Sequence, residues 1–217
     1  MMTSLFSSFD PSTKIFQLNW ILMITPIMIL PMNFWMKKSR WTIFKKKSNN
    51  FILMEFKSTS NHKEIKLISL SLFLIIVTQN ILGLFPYNFT PTSHISLNVS
   101  ISIPIWMMLM IFGWTKFYKH MFIHLLPLGT PSMIMPMMIL IETTGNIIRP
   151  ISLSVRLTAN MIAGHLLMTL LGNMNWTKII ILSLPIQIML MLFESCISII
   201  QAYVFSTLLN LYSSEIP

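Results

Sequence analysis

Residues 150–167 read Pro-Ile-Ser-Leu-Ser-Val-Arg-Leu-Thr-Ala-Asn-Met-Ile-Ala-Gly-His-Leu-Leu, and Arg156 stands in the middle of this otherwise uncharged run. A guanidinium stays protonated in a protein, so it cannot escape the cost of burial by becoming neutral. At bilayer depth such a charge is rare and costs several kcal/mol, and it marks an ion pathway with a carboxylate partner. No acidic residue lies three or four positions away on either side, so the partner must come from elsewhere.

Outward from this run, about Pro131 to Leu171 and again about Thr177 to Leu211 are predominantly apolar for 35 or more residues each. At about 1.5 Å per residue such helices exceed roughly 50 Å, against a hydrocarbon thickness of about 30 Å. The reading is therefore two long, steeply tilted helices joined as a hairpin at Gly172-Asn173-Met174-Asn175. Further back, residues 67–115 contain no charged side chain, and the turn-rich stretch from Gly83 to Ser93 divides them into spans at 67–85 and 96–115. Residues 15–36 form a first span, bent by Pro26 and Pro31. Before it, Asp10 or Ser12 is expected to cap a helix entry with Pro11 early, and residues 1–14 do not read as a secretory signal. The expected fold is an all-α polytopic membrane protein, a single membrane domain over 1–217 with about five transmembrane helices and a surface amphipathic segment.

Composition agrees. The chain is 54% hydrophobic and 10% charged, where soluble chains carry about 25% charged residues. The net charge of +9 is concentrated in Lys37, Lys38, Arg40, Lys45, Lys46, Lys47, Lys57, Lys63 and Lys66, all within residues 37–66 between two apolar segments. That is the positive-inside signature, not a nucleic-acid surface, and Trp41, Phe44, Phe51 and Phe56 interleaved there suit a segment lying on the membrane. An odd number of crossings puts the C-terminus on the same side as the basic segment and the N-terminus on the other. Cys196 is the single cysteine, which excludes a disulfide scaffold, and its apolar surroundings in the sequence predict a packed thiol.

The polar residues inside the last two spans are patterned. Glu142, Arg149 and Arg156 are spaced by seven and form one helical stripe, with Asn160 on the same side and His165 about opposite. In the final span Gln187, Glu194 and Gln201 repeat the spacing of seven, with Ser183 and Ser198 beside them. Alternatives stay open for several: Glu142 could simply neutralise Arg149, Arg149 could be a tether, His165 a core histidine, and Gln187 interhelical glue. His120 and His124 share a face at metal-binding spacing but lack a third ligand, and read as a surface pair. The Asn88 and Asn98 glycosylation patterns read as unmodified. There is no phosphate loop, serine elbow or cysteine pair, so neither covalent catalysis nor a cofactor is expected.

The stretch from His124 to Leu171 resembles subunit a of the F-type ATP synthase in its animal mitochondrial form. The matching words are His124-Leu-Leu-Pro-Leu-Gly-Thr-Pro131, Ile141-Glu-Thr, Ile148-Arg-Pro150 and Ser154-Val-Arg-Leu-Thr-Ala-Asn-Met-Ile-Ala-Gly-His-Leu-Leu167. Glu194, with Gln201-Ala-Tyr-Val-Phe205, is similar to the family's last helix, and Leu5-Phe-Ser-Ser-Phe-Asp-Pro11 to its opening. The resemblance implies that Arg156 faces a rotor ring of c subunits. It implies that His165 and Glu194 line a half-channel open to the intermembrane space, that Glu142 belongs to one open to the matrix, and that Asn160 and Gln201 are polar neighbours of the arginine. Arg149 departs from the neutral residue expected before that proline.

The function so implied is non-catalytic: proton translocation through two offset half-channels, coupled to rotation of the c-ring for ATP synthesis. Implied partners are the c-ring, other stator and peripheral-stalk subunits, protons, and membrane lipids, cardiolipin among them at the basic segment. The implied place is the mitochondrial inner membrane, with the basic segment and C-terminus toward the matrix and the N-terminus toward the intermembrane space. An antiporter-like subunit would need mid-span lysines, and Lys178 stands only at a helix start. A scaffold subunit would tolerate loss of Arg156 except in assembly. An intramembrane hydrolase would need a nucleophile–base motif that the chain lacks.

Overall fold

The computed structural model describes residues 6, 9–12, 17–29, 37, 39–59, 63–85, 88–126, 131–173 and 180–216. Helices α1 (Thr25–Ile29), α2 (Arg40–Thr59), α3 (Lys63–Gly83), α4 (Ile95–Lys116), α5 (Tyr118–His124), α6 (Met135–Asn173) and α7 (Ile180–Ser214) follow one another, and no strand occurs among the described residues. Four helices, α3, α4, α6 and α7, are long and apolar enough to cross a membrane. The fifth apolar segment is described only from Leu18, as a tight 3₁₀ turn through Ile24 that runs into α1. Much of the rest of the predicted first span, the helix start after Ser12, and the hairpin turn beyond Asn173 lie outside the described residues.

The two long helices run unbroken for 39 and 35 residues. At about 1.5 Å per residue the longer is roughly 58 Å, so lying wholly within a hydrocarbon layer of about 30 Å would need a tilt on the order of 60°. Pro150 does not break α6. It only removes the hydrogen bond that would reach the Asn146 carbonyl.

Burial follows side-chain size. Ser69 of α3, Ser154 of α6, and Ala202 and Ser206 of α7 are completely buried. Small residues let helix backbones approach where lipid offers no hydrophobic drive to association. Their hydroxyls are satisfied within their own helices: Ser154 Oγ donates to the Ile151 carbonyl at 2.8 Å and Ser206 Oγ to Tyr203 at 2.9 Å. Around these contacts Ile76, Leu157, Ala202 and Phe205 form one core cluster, and Ile65, Leu109 and Leu209 a second.

The turn-rich connection between α3 and α4 is polar, and Phe89 through Ser93 are nonetheless buried. The Thr92 hydroxyl has no partner among the described residues, whereas Ser93 Oγ donates to the Thr90 carbonyl at 2.7 Å and Asn98 Nδ2 to the Thr92 carbonyl at 2.7 Å. Gly83 permits this, because a Cβ there would lie 2.7 Å from Thr90 Cγ2. Trp20, Phe89 and His94 stack over the same place, with ring centroids 5.1–5.5 Å apart. Cys196, expected to be packed, is exposed on the outer face of α7.

Helix α2 turns Ile52, Leu53 and the fully buried Phe56 inward, and packs against α3 and α7. Trp41, Phe44, Phe51 and Met54 face outward on one side. Lys46, Asn50 and Lys57 fall on another, by 100° per residue.

Candidate functional site

Three helices meet around a cavity of about 270 Å³. Helix α6 supplies Asn160 and His165, α7 supplies Glu194, Ser198 and Gln201, and α3 supplies Asn80. The rest of the wall is mostly apolar, with Leu84, Leu157, Met161 and Phe193 among it. Asn160 and His165 are five positions apart, about 140° round a helix, and the cavity is broad enough to reach both.

Glu194 comes close to α6 because Gly164 has no side chain. A Cβ on Gly164 would lie 2.8 Å from the carboxyl carbon of Glu194 and 3.0 and 3.1 Å from its oxygens. The neighbouring His165 ring hydrogen-bonds the backbone of Gly83 and meets Phe9 edge-on at 6.0 Å. Its Nε2 and the Glu194 Oε1 are buried and have no partner among the described residues. The cavity thus brings together four residues that the sequence pointed to: Asn160, His165, Glu194 and Gln201. Gln187, also picked out, is half-buried and not part of this wall.

Arg156 lies beside the cavity but outside its lining. Its neighbour Leu157 is buried, whereas Arg156, Val155 and Ala159 are exposed, so the guanidinium belongs to the open face of α6. It makes no ion pair or hydrogen bond among the described residues.

Arg149, two turns earlier, is held. Its Nη1 donates to the Glu215 carboxylate at 3.3 and 3.5 Å, its Nη2 lies 3.7 Å from Glu142 Oε1, and its guanidinium stacks 4.7 Å from the centre of the Tyr212 ring. Glu142 therefore does pair with Arg149, the plain alternative that the spacing of seven allowed. Glu215, beyond the end of α7, was not anticipated; only an unpaired acid near the C-terminus hinted at it. Asn80 was also missed, although a Gln-Asn pair in an apolar span was a visible signal. Among the described residues no group of three or more metal-ligating side chains occurs.

A family model described as ATP synthase A chain matches residues 15–214. The chain is 50% identical over 228 residues to ATP synthase subunit a of Aedes albopictus and 49% identical over 228 residues to that of Anopheles quadrimaculatus. To ATP synthase subunit a of Drosophila melanogaster it is 47% identical over 224 residues. All three alignments cover 100% of this chain and 100% of the relative. An all-helical membrane architecture, polar residues gathered within it, and full-length similarity to these proteins agree, and the chain belongs to the ATP synthase subunit a family.

Proposed function

We propose that this chain carries protons across the mitochondrial inner membrane through two offset half-channels and thereby couples proton flow to rotation of a ring of c subunits. The observation that carries the reading is Arg156, a fixed cation on an exposed helix face with no partner among the described residues. Such a charge in lipid needs an anion from outside the chain. A carboxylate presented by a moving ring supplies it.

In this mechanism a proton arrives in the cavity near Glu194 and His165 and neutralises a ring carboxylate. The neutral acid can enter lipid, so the ring advances. After almost a full turn the acid reaches the Glu142 side and gives its proton to the matrix. Arg156 lies between the two paths, draws the ring carboxylate into its ionised form, and repels a proton that would pass directly. At an effective dielectric of about 20, charges 4 Å apart attract by roughly 4 kcal/mol before desolvation. One charge crossing 100 mV yields about 2.3 kcal/mol, so the two quantities are comparable and the carboxylate can be released again. Asn160 and Gln201 provide neutral polar surface next to the arginine.

The chain acts in this scheme as a non-catalytic stator subunit, alongside peripheral-stalk subunits. The basic segment at 37–66 and the C-terminus lie on the matrix side, with anionic lipids such as cardiolipin under α2, and the N-terminus faces the intermembrane space.

Arg156→Gln tests the central point in membrane vesicles that carry the complete ATP synthase. Coupled ATP synthesis is expected to vanish, with passive proton leak maintained or raised. Normal synthesis would refute the role. Glu194→Gln is expected to slow proton flux in an assembled complex, and unchanged flux would remove Glu194 from the path.

A further inference from the structure

Three charged groups meet where α6 passes the end of α7, and they share one cation unequally. Arg149 Nη1 donates to both Glu215 oxygens at 3.3 and 3.5 Å, whereas Glu142 Oε1 lies 3.7 Å from Nη2, beyond hydrogen-bond distance. Among the described residues the Glu142 carboxylate accepts no hydrogen bond.

Left to α6 alone, the preference would run the other way. Side chains on a helix lean toward its N-terminus, and Glu142 lies about two turns N-terminal to Arg149 on the same stripe. A guanidinium with nothing else in reach forks a carboxylate through two parallel hydrogen bonds. Glu215 comes instead from beyond the end of α7, and several contacts fix it there. Tyr212 places its ring face 4.7 Å from the same guanidinium. Ile216 is buried to 5%, and a Cβ on Gly113 of α4 would come 3.4 Å from its Cδ1. The end of α7 is therefore pegged against α4 with its acid on Arg149.

We propose that Glu215 is a positioning residue for proton exit: it draws Arg149 toward α7 and so keeps the Glu142 carboxylate from being forked by its own helix neighbour. This rests on the exit role given above to Glu142. A carboxylate held by two guanidinium hydrogen bonds has both oxygens engaged, whereas a proton relay needs one open to water or to its donor. A neutral residue before Pro150 would raise no such conflict. With Arg149 in that place, a second acid resolves it. Two carboxylates and one guanidinium sum to one formal negative charge, as a lone Glu142 would.

The test uses vesicles that carry the complete ATP synthase, reading the amount of assembled complex and the proton flux per complex. In Glu215→Gln the guanidinium is released to Glu142, because a neutral amide competes poorly with a carboxylate. Flux should fall about tenfold, the effect on a transfer step of one added charge-assisted hydrogen bond to the exit acid. Adding Arg149→Gln removes the cation, and most of the lost flux should return. A purely structural role predicts less assembled complex with unchanged flux per complex. Wild-type flux per complex in Glu215→Gln overturns the proposal, as does a double variant no faster than Glu215→Gln. If Glu215→Gln fails to assemble, Glu215→Asp takes its place, keeping the charge with one methylene less reach. A smaller fall that Arg149→Gln relieves is then expected, and no fall, or a fall without relief, overturns the proposal. Glu142→Gln runs in parallel. Slow flux there with wild-type flux in Glu215→Gln removes the positioning role alone, whereas wild-type flux in Glu142→Gln removes the exit reading itself.

Discussion

Arg149 and Arg156 stand seven residues apart on one helix, and their surroundings are opposite. Arg149 touches two carboxylates and an aromatic face, all from its own chain. Arg156 touches none among the described residues and looks outward. The same contrast separates the ends of the molecule. The space beside Arg149 is about 40 Å³, and the polar groups on its wall include the paired Arg149 and Glu215. The space beside Glu194 is several times larger, and its lining residues Asn80, His165 and Glu194 each carry a buried polar atom without a partner among the described residues. A charge satisfied within the chain has a structural account. A charge left over at membrane depth implies something supplied from outside.

The contrast fails most visibly if Arg156 proves to have a partner in its own chain. Arg156→Gln should leave the complex assembled in wild-type amount while coupled synthesis is lost, because there is no internal contact to break. A depleted complex on a native gel would point to a stationary anion and make the two arginines alike.

Arg149→Gln should do the reverse. It leaves Glu142 and Glu215 facing each other without their cation, at a cost of about 1.5–3 kcal/mol, typical of hydrogen bonds to charged groups. Assembly or thermal stability should fall, and adding Glu215→Gln should restore part of it by removing one of the stranded charges. A double variant no better than Arg149→Gln would show that the pair is not coupled.

Gly164→Ala is a smaller intervention on the other side of the comparison. The added methyl meets the Glu194 carboxyl group at 2.8–3.1 Å, so the carboxylate must move. Overpacking of this kind costs about 1–3 kcal/mol where the neighbour is rigid. Glu194 is a flexible chain beside a cavity, so the cost to stability should lie at the low end and the effect should appear as slower proton flux. Unaltered flux would show that the position of the carboxylate against α6 is immaterial.

Much of this was legible in the sequence, for definite reasons. Charges are so scarce in these spans that each one stands out, and a spacing of seven on a helix places Glu142 within reach of Arg149 without knowledge of tertiary structure. The lengths of α6 and α7 followed from uninterrupted apolarity. The missed residues depend on contacts between distant elements. Glu215 reads as a solvated terminal acid until the end of α7 is brought to the middle of α6. Asn80 reads as one more polar residue before a turn until α3 is seen to share a cavity wall with α6 and α7. Cys196 was misjudged because apolar neighbours in sequence mean burial in a soluble core, whereas on α7 they also mark the outward face.

The smallest effect concerns how α2 is fastened. Tyr203 Oη donates to Glu55 Oε2 at 3.1 Å and so links the surface helix to α7. Both residues are exposed. A hydrogen bond to an exposed carboxylate competes with water and is worth about 0.2–1 kcal/mol. Phe56, one position after Glu55, is buried to 1% and supplies apolar contact that does not depend on pairing. Tyr203→Phe should therefore change thermal stability of the complex by no more than a few degrees and leave proton flux intact. Phe56→Ala should cost more, about 3–5 kcal/mol if the site stays open. A Tyr203→Phe effect as large as that of Phe56→Ala would mean that α2 is held by its polar contact. Exposed pairing would then carry as much weight in this chain as the half-buried pairing at Arg149, and the distinction drawn between the two arginines would lose its physical basis.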